Sequence, residues 1–161
     1  MFIIGERINP AGKPDLIQAI QKAQPSLIQK EVQAQAKAGA QALDINVSLP
    51  DLDRPQAMRF VVEHIRMVSE LPLLIDDRDP NVIEAGLVKA KANGWINSPL
   101  DSDDSEARIC SLVRQFNARL FFLPLKGGHV PVDSNREYLK SVRTILNRLN
   151  AAGIQGIRHE D

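Results

Sequence analysis

Short apolar runs alternate along the chain with helical patterns, and each of the first four runs ends on a carboxylate or a carboxamide. The runs cover residues 2–4, 42–43, 73–75 and 95–96, and the polar residues that follow them are Glu6, Asn9, Asp44, Asn46, Asp76 and Asn97. Strands that alternate with helices are typical of a parallel α/β sheet. Because such sheets bind ligands at the carboxyl ends of their strands, the pattern predicts a small-molecule site lined by these polar side chains.

The same pattern predicts five β-then-α units and the beginning of a sixth strand. The predicted strands are 1–4, 42–47, 72–75, 95–97 and 119–123, with 154–157 as the sixth-strand stub, and residues 5–14 are predicted to be a loop. Helices are predicted to start at Asp15 and to cover 25–37, 55–70 and 80–92, with two more that end at 116 and 151. Pro25 and Pro80 suit the first turn of a helix, and Asp79 suits a cap. The strand starts lie roughly 20–40 residues apart, which matches a βα repeat.

Charge and hydropathy exclude several classes of protein. Twenty Lys and Arg balance 20 Asp and Glu, so no overall field attracts nucleic acid or an anionic membrane. No apolar stretch approaches the ~20 residues of a membrane span, and the charge close to residue 1 does not fit a signal peptide. The single cysteine, Cys110, excludes an internal disulfide and a Cys-rich metal cluster. We therefore expect a cytoplasmic protein that binds no metal, nucleic acid or membrane.

Five short motifs occur in order along the chain, and together they resemble the pterin-binding methyltransferases. The motifs are 3–9 (IIGERIN), 42–47 (ALDINV), 74–76 (LID), 83–87 (IEAGL) and 96–98 (INS). This family uses methyltetrahydrofolate as methyl donor to a corrinoid and includes the folate domain of cobalamin-dependent methionine synthase, with dihydropteroate synthase as a more distant relative. The resemblance implies a TIM-type (β/α)8 barrel, of which residues 1–161 would form a single, incomplete pterin-binding-like α/β domain.

The resemblance also implies which residues bind the ligand. In the family, the Asp that closes the third strand and the Asn that closes the fourth bind the edge of the pterin ring. The implied pterin ligands here are Asp76, Asn97, Asn46 and Asp44, and the implied rim of the site is Glu6, Asn9 and Ser98. A pterin presents adjacent N–H donors with ring acceptors beside them. A carboxylate accepts from two such donors, whereas a carboxamide supplies both a donor and an acceptor.

Departures from the family pattern affect the expected activity. Residues 124–128 (PLKGG) stand where the methyltransferases carry an Asn-containing loop. The pterin-contacting Asp of the sixth strand has a loose counterpart in Asp161. The Asn that contacts the methyl-bearing ring nitrogen after the seventh strand has no counterpart, so the catalytic residues stay unassigned.

Two functions are therefore open. One is methyl transfer from methyltetrahydrofolate to a cobalamin or other corrinoid that a partner protein carries, with this chain as half of a split or dimeric enzyme. The other is a non-catalytic folate-binding or interaction fragment. A dihydropteroate synthase-like activity ranks third because the Asn-Val-Thr-Pro-Asp-Ser run of that family is absent after the first strand. Since such barrels usually need ~250 residues, we expect a homo-oligomer or a complementary C-terminal chain to cover the open sheet.

Three residues near these motifs have simpler expected roles. Asp77 and Asp79 are expected to be exposed loop charges, with Asp79 also capping the next helix. Trp95 is expected in the core.

Overall fold

The computed structural model describes residues 1–91, 94–100, 103–123 and 135–154, and in these residues two helices follow the first of five strands and one helix follows each of the others. The strands are β1 (Ile4–Ile8), β2 (Ala42–Ile45), β3 (Leu73–Asp76), β4 (Gly94–Asn97) and β5 (Arg119–Phe121). The helices are α1 (Pro14–Gln21), α2 (Pro25–Lys37), α3 (Arg54–Arg66), α4 (Pro80–Ala90), α5 (Asp103–Phe116) and α6 (Asn135–Ala151). The strands form one parallel sheet in the order β1-β2-β3-β4-β5. The predicted series of β-then-α units is confirmed.

Some predicted elements differ in length or lie elsewhere in the chain. β2 ends at Ile45 and α3 ends at Arg66, a few residues before their predicted ends. The loop at 124–128, residues 155–157 of the predicted sixth strand and Asp161 lie outside the described residues. Within the described residues, no helix has the length and apolar character needed to cross a membrane.

The helix-covered face of the sheet carries the core. The strand residues with no exposed surface that form this core are Ile8, Leu43, Ile45, Leu73, Ile75 and Ile96. Helix α4 approaches β3 closely because Gly86 has no side chain, and a Cβ at Gly86 would lie 2.9 Å from Ile75 Cγ2. This close packing fixes the end of β3, where the first candidate ligand lies.

The opposite face of the sheet carries large aromatic side chains together with the charged side chain of Arg119, which is the register partner of Trp95 and lies with its Cζ 5.1 Å from the Trp95 ring centroid. Successive strand residues point to opposite faces, so Leu74 and Trp95, which are register partners, share this face. The Trp95 ring centroid lies 5.8 Å from that of Phe2 and 5.6 Å from that of Phe121. Phe2 is 53% exposed and Phe121 is 38% exposed. Trp95 is therefore half-buried on a partly open face, and not in the helix-covered core.

Strand β1 lies further along the chain than the sequence predicted. The prediction was a buried strand at 1–4, but the strand spans Ile4–Ile8 and the first three residues are exposed. Gly5 leaves room for the Gln35 side chain, because a Cβ at Gly5 would lie 2.4 Å from Gln35 Oε1. This oxygen accepts a hydrogen bond from Arg7 N at 2.9 Å, where the register of β1 shifts. Strand pairing thus continues through polar residues that the apolar pattern had assigned to a loop.

Candidate functional site

The carboxyl ends of β2, β3 and β4 bring two carboxylates and two carboxamides together. Asp76 and Asn97 are register partners at the ends of β3 and β4. Asn46 donates from Nδ2 to Asp76 Oδ2 at 2.9 Å. Asn97 donates from Nδ2 to Asp44 Oδ1 at 3.4 Å. The four residues that the sequence implied as ligands therefore form two hydrogen-bonded pairs at one edge of the sheet.

Asn46 directly follows strand β2, and its side chain and backbone both form hydrogen bonds that fix its position. Its Oδ1 accepts a hydrogen bond from Ser48 N at 2.8 Å, which turns the chain out of the sheet. Its backbone N–H donates to Ile8 O at 2.9 Å and so connects β2 to β1. The side chain of Asn46 can therefore hold the turn with Oδ1 and contact Asp76 with Nδ2 at the same time.

The carboxylates of this edge are held in an environment that favours their neutral forms. Asp44 is 5% exposed. Burial, followed by the charges of Asp76 and Glu6, raises the pKa of Asp44 to about 7, against the hydrogen bond from Asn97. Burial also raises the pKa of Asp76; the hydrogen bond from Asn46 opposes this, and the charges of Asp77 and Glu6 add to it. Near neutral pH, Asp44 can therefore either hold or release a proton.

The predicted rim residues occupy different surroundings. Asn9 donates from Nδ2 to Glu6 Oε1 at 3.3 Å, and its Oδ1 accepts from Ala11 N at 3.1 Å. Glu6 is exposed, and its charge acts on both Asp44 and Asp76. Ser98 has no exposed surface, and its hydroxyl lies 3.4 Å from the carbonyl oxygen of Pro99. The structure therefore brings Glu6 close to the carboxylates, whereas Ser98 is buried in the chain that follows β4.

Asp77 was expected to be an exposed loop charge, and this prediction is wrong. Asp77 is 3% exposed because Arg54 covers it, with Arg54 Nη1 at 2.9 and 3.1 Å from its two oxygens. The sequence places Arg54 at the start of a predicted helix, but no pattern in it connected this arginine to Asp77. The predicted cap is confirmed: Asp79 accepts a hydrogen bond from Asn81 N at 2.9 Å at the start of α4.

This arrangement is suited to binding a neutral or cationic ligand that carries several N–H donors. Ionised Asp76 offers acceptor oxygens, while Asn97 offers a donor and an acceptor beside it. Among the residues that the structure describes, no three His, Cys, Asp or Glu side chains form a group that could hold a metal ion. A separate cavity, lined by Leu100, Ile145 and Arg148 among others, includes none of the strand-end side chains.

The sequence of this chain is similar to that of a known protein family. Residues 5–158 match the sequence model of the family described as "Pterin binding enzyme". The methylcorrinoid:tetrahydrofolate methyltransferase of Eubacterium limosum is 31% identical over 98 residues, which are 61% of this chain and 36% of that protein. The match to the family model confirms the resemblance that the five motifs indicated.

Solved structures show the fold. Dihydropteroate synthase from Xanthomonas albilineans, in complex with 7,8-dihydropteroate, superposes with a TM-score of 0.59 at 22% identity, over 96% of this chain and 55% of that one. A second structure of that enzyme, with indole-2-carboxylic acid and 6-chloroguanine, gives 0.61 at 20% identity, over 98% and 57%. The predicted fold class is confirmed: the five parallel strands correspond to part of a TIM-type barrel. The chain spans about half the length of these structures and 36% of the methyltransferase.

Proposed function

Because this chain belongs to the family of pterin binding enzymes, we propose that it binds the pterin ring of methyltetrahydrofolate at the carboxyl edge of its sheet. The observation that carries this proposal is the in-register pair of Asp76 and Asn97 at the ends of β3 and β4. A carboxylate and a carboxamide on adjacent strands can together contact neighbouring donors and acceptors of one flat ring. Both residues lie within the region that matches the family.

In this proposal, the two partner residues tune the two ring contacts. Asn46 supports the ionised form of Asp76, since its amide donates to that carboxylate. Asp44 accepts a hydrogen bond from the amide nitrogen of Asn97. This contact fixes the orientation of the amide, so the Asn97 oxygen is free to contact the ring. Glu6 on β1 and Asn9, which directly follows β1, would shape the rim, and Ser98 would support the backbone after Asn97.

We further propose that the bound folate exchanges its methyl group with a corrinoid carried by a partner protein. In this transfer the N5–methyl bond would break with its electron pair left on N5, which would take up a proton. The methyl group would bond to the reduced corrinoid, which would supply the electron pair of the new bond. The similarity to the methyltransferase from Eubacterium limosum supports this proposal, since the name of that enzyme describes the same transfer in the opposite direction. This chain would hold and orient the ring, and Asp44 is the side chain whose pKa of about 7 suits it to supply a proton.

Calorimetric titration with methyltetrahydrofolate tests the binding proposal. The natural chain should bind, and Asp76→Ala should weaken binding by at least about tenfold, since a charge-assisted hydrogen bond is lost. Asp15→Ala is the matched control, because Asp15 is an exposed carboxylate at the start of α1. Absence of heat with the natural chain would end the pterin proposal.

A second function that we propose is supported by the same in-register pair of Asp76 and Asn97, because these side chains suit the binding of a ring and do not themselves transfer a methyl group. It is a folate-binding or interaction fragment without turnover. A spectrophotometric assay that combines the chain, methyltetrahydrofolate and reduced cobalamin separates the two functions. Binding together with loss of the reduced-corrinoid absorbance supports methyl transfer, whereas binding with no absorbance change supports the fragment.

We also propose that a second copy or a complementary C-terminal chain covers the open face of the sheet. The exposed side chains Phe2 and Phe121, together with half-buried Trp95, support this because they are large and apolar. Size measurement by light scattering tests it. A stable monomer that does not bind apolar dyes would contradict a covered face.

A further inference from the structure

Asp77 is a buried carboxylate beside the proposed ligand Asp76. Its side chain is 1% exposed and that of Arg54 is 33% exposed. A buried charge is costly unless it is paired, and Asp77 is paired with Arg54 through both of its oxygens, at 2.9 and 3.1 Å from Nη1. Arg54 Nη2 also lies 3.4 Å from Asp79 Oδ2. One guanidinium therefore faces two carboxylates of the β3–α4 connection.

The Arg54–Asp77 pair connects three successive βα units. Arg54 is the first residue of α3. Asp77 Oδ1 accepts a hydrogen bond from Asp79 N at 2.8 Å, which shapes the turn after β3. Asp77 N donates to Asn97 O at 3.3 Å, which holds the turn against the end of β4. The pair thus lies where the chains that carry Asp76 and Asn97 leave the sheet.

We propose that Arg54 and Asp77 are positioning residues for the pterin site: Asp77 holds the end of β3 against Asn97 through its backbone, and Arg54 offsets the negative charge that Asp77 places beside Asp76. This inference rests on the proposed function. Neither residue needs to touch the ligand. Asp77 acts through the backbone of Asn97 and through its charge next to Asp76, and Arg54 acts by offsetting that charge.

The charges around Asp76 determine whether each substitution raises or lowers the pH at which Asp76 loses its proton. Asp76 faces Glu6 from β1, Asp44 from β2 and Asp77 from its own connection, and all three are carboxylates. Without Arg54, the charge of Asp77 acts on Asp76 without compensation, so Asp76 loses its proton only at higher pH. Without Asp77, the cation of Arg54 faces the site with one fewer carboxylate, so Asp76 loses its proton at lower pH. Replacing both residues by amides removes both charges and restores the balance.

A charge-swap series tests the inference. The dissociation constant of methyltetrahydrofolate is measured between about pH 4, near the ordinary pKa of an aspartate, and about pH 8 for the natural chain, Arg54→Gln, Asp77→Asn, the double variant and Arg54→Lys. Arg59→Gln is the matched control, because Arg59 is an exposed arginine on the same helix. Using one ligand throughout cancels the ligand's own titration, and circular dichroism checks that each variant is folded.

The predicted pattern is an opposed pair of shifts. Arg54→Gln should move the midpoint of the binding profile to higher pH and weaken binding at pH 7 by about tenfold. Asp77→Asn should move the midpoint to lower pH, and the double variant and Arg54→Lys should return toward the natural chain. A role limited to fold stability would lower affinity in every variant and leave the midpoints unmoved.

The outcomes separate this inference from the proposed function. If the natural chain does not bind the folate, the proposed function fails and the inference fails with it. If the natural chain binds and Arg54→Gln and Asp77→Asn keep its midpoint, the inference alone is overturned. Should Arg54→Gln unfold, Asp77→Asn and the double variant still decide, because an unmoved midpoint in Asp77→Asn contradicts the electrostatic role.

Discussion

The side-chain amide of Asn46 binds Asp76 twice, with Nδ2 at 2.9 Å from the carboxylate oxygen Oδ2 and at 3.3 Å from the backbone oxygen. The amide therefore fixes both the position of the Asp76 side chain and the end of the strand that carries it. The charges of Asp77 and Glu6 oppose ionisation of Asp76, and the hydrogen bond from Asn46 favours it.

Replacing Asn46 by Asp should weaken folate binding at neutral pH by about tenfold or more. The new carboxylate can still accept from Ser48 N, so the turn after β2 is retained, but it repels Asp76 in place of donating to it. Calorimetry at pH 7 measures the change. Asn81→Asp is the control, because Asn81 is an exposed amide at the start of α4, and this variant should bind the folate normally. Unchanged affinity in Asn46→Asp would show that Asp76 does not need this partner.

Replacing Asp44 by Asn should stabilise the fold in a pH-dependent manner while it weakens the function. The pKa of Asp44 is raised in the folded state, so this carboxyl destabilises the fold as pH rises from about 4 to about 7, where it is forced to ionise in a buried place. The upper limit of the effect is roughly 4 kcal/mol, because one pKa unit corresponds to about 1.4 kcal/mol.

Urea unfolding at several pH values checks this prediction. The difference in unfolding free energy between Asp44→Asn and the natural chain should be smallest near pH 4, should grow toward pH 7 and should then level off. A difference that is constant with pH would mean that Asp44 ionises normally in the folded chain.

Gly86→Ala should destabilise the protein by about 1–3 kcal/mol, the usual cost of overpacking a core. The added Cβ would lie 2.9 Å from Ile75 Cγ2 and 3.0 Å from Met58 Cγ, so β3 and α4 must separate. Because Ile75 precedes Asp76, folate binding should weaken as well. Thermal unfolding measures the loss, with Val88→Ala as a control at an exposed site of the same helix. Equal or higher stability in Gly86→Ala would show that this contact relaxes freely.

Binding of the pterin should change the fluorescence of Trp95. Trp95 is the only tryptophan of the chain and lies two positions before Asn97 on the same face of β4. A pterin ring on Asp76 and Asn97 would approach the indole and quench its emission. The quenching curve should give the same dissociation constant as calorimetry and should be lost in Asp76→Ala. Calorimetric binding with unaltered emission would place the ligand elsewhere.

The sequence predicted the fold best where apolar runs were short and cleanly bounded. β3 and β4 follow this rule, since Leu73, Ile75 and Ile96 are buried and polar residues end the strands. β1 did not, because its pairing depends on the space that Gly5 leaves for the side chain of Gln35 on helix α2. No local pattern carries that information.

The candidate site was predictable in its residue types but not in its electrostatics. The strand-end positions of Asp44, Asp76 and Asn97 followed from the alternation of strands and helices. The raised pKa of Asp44 depends on burial and on a carboxylate of the next strand, and the burial of Asp77 depends on Arg54, 23 residues away. Such pairings arise from the packing of the units and are not visible in any single motif.

The central claim is that Asp76 accepts hydrogen bonds from the edge of the pterin that carries the 2-amino group. The most direct test compares the affinities of two related rings. Calorimetry compares 6-methylpterin with 6-methyllumazine, in which an oxo group replaces the 2-amino group, for the natural chain and for Asp76→Asn. The natural chain should prefer the pterin by at least about tenfold, since a hydrogen bond to a carboxylate is lost with lumazine, and Asp76→Asn should show little preference. Equal preference in both proteins would contradict the assignment of Asp76.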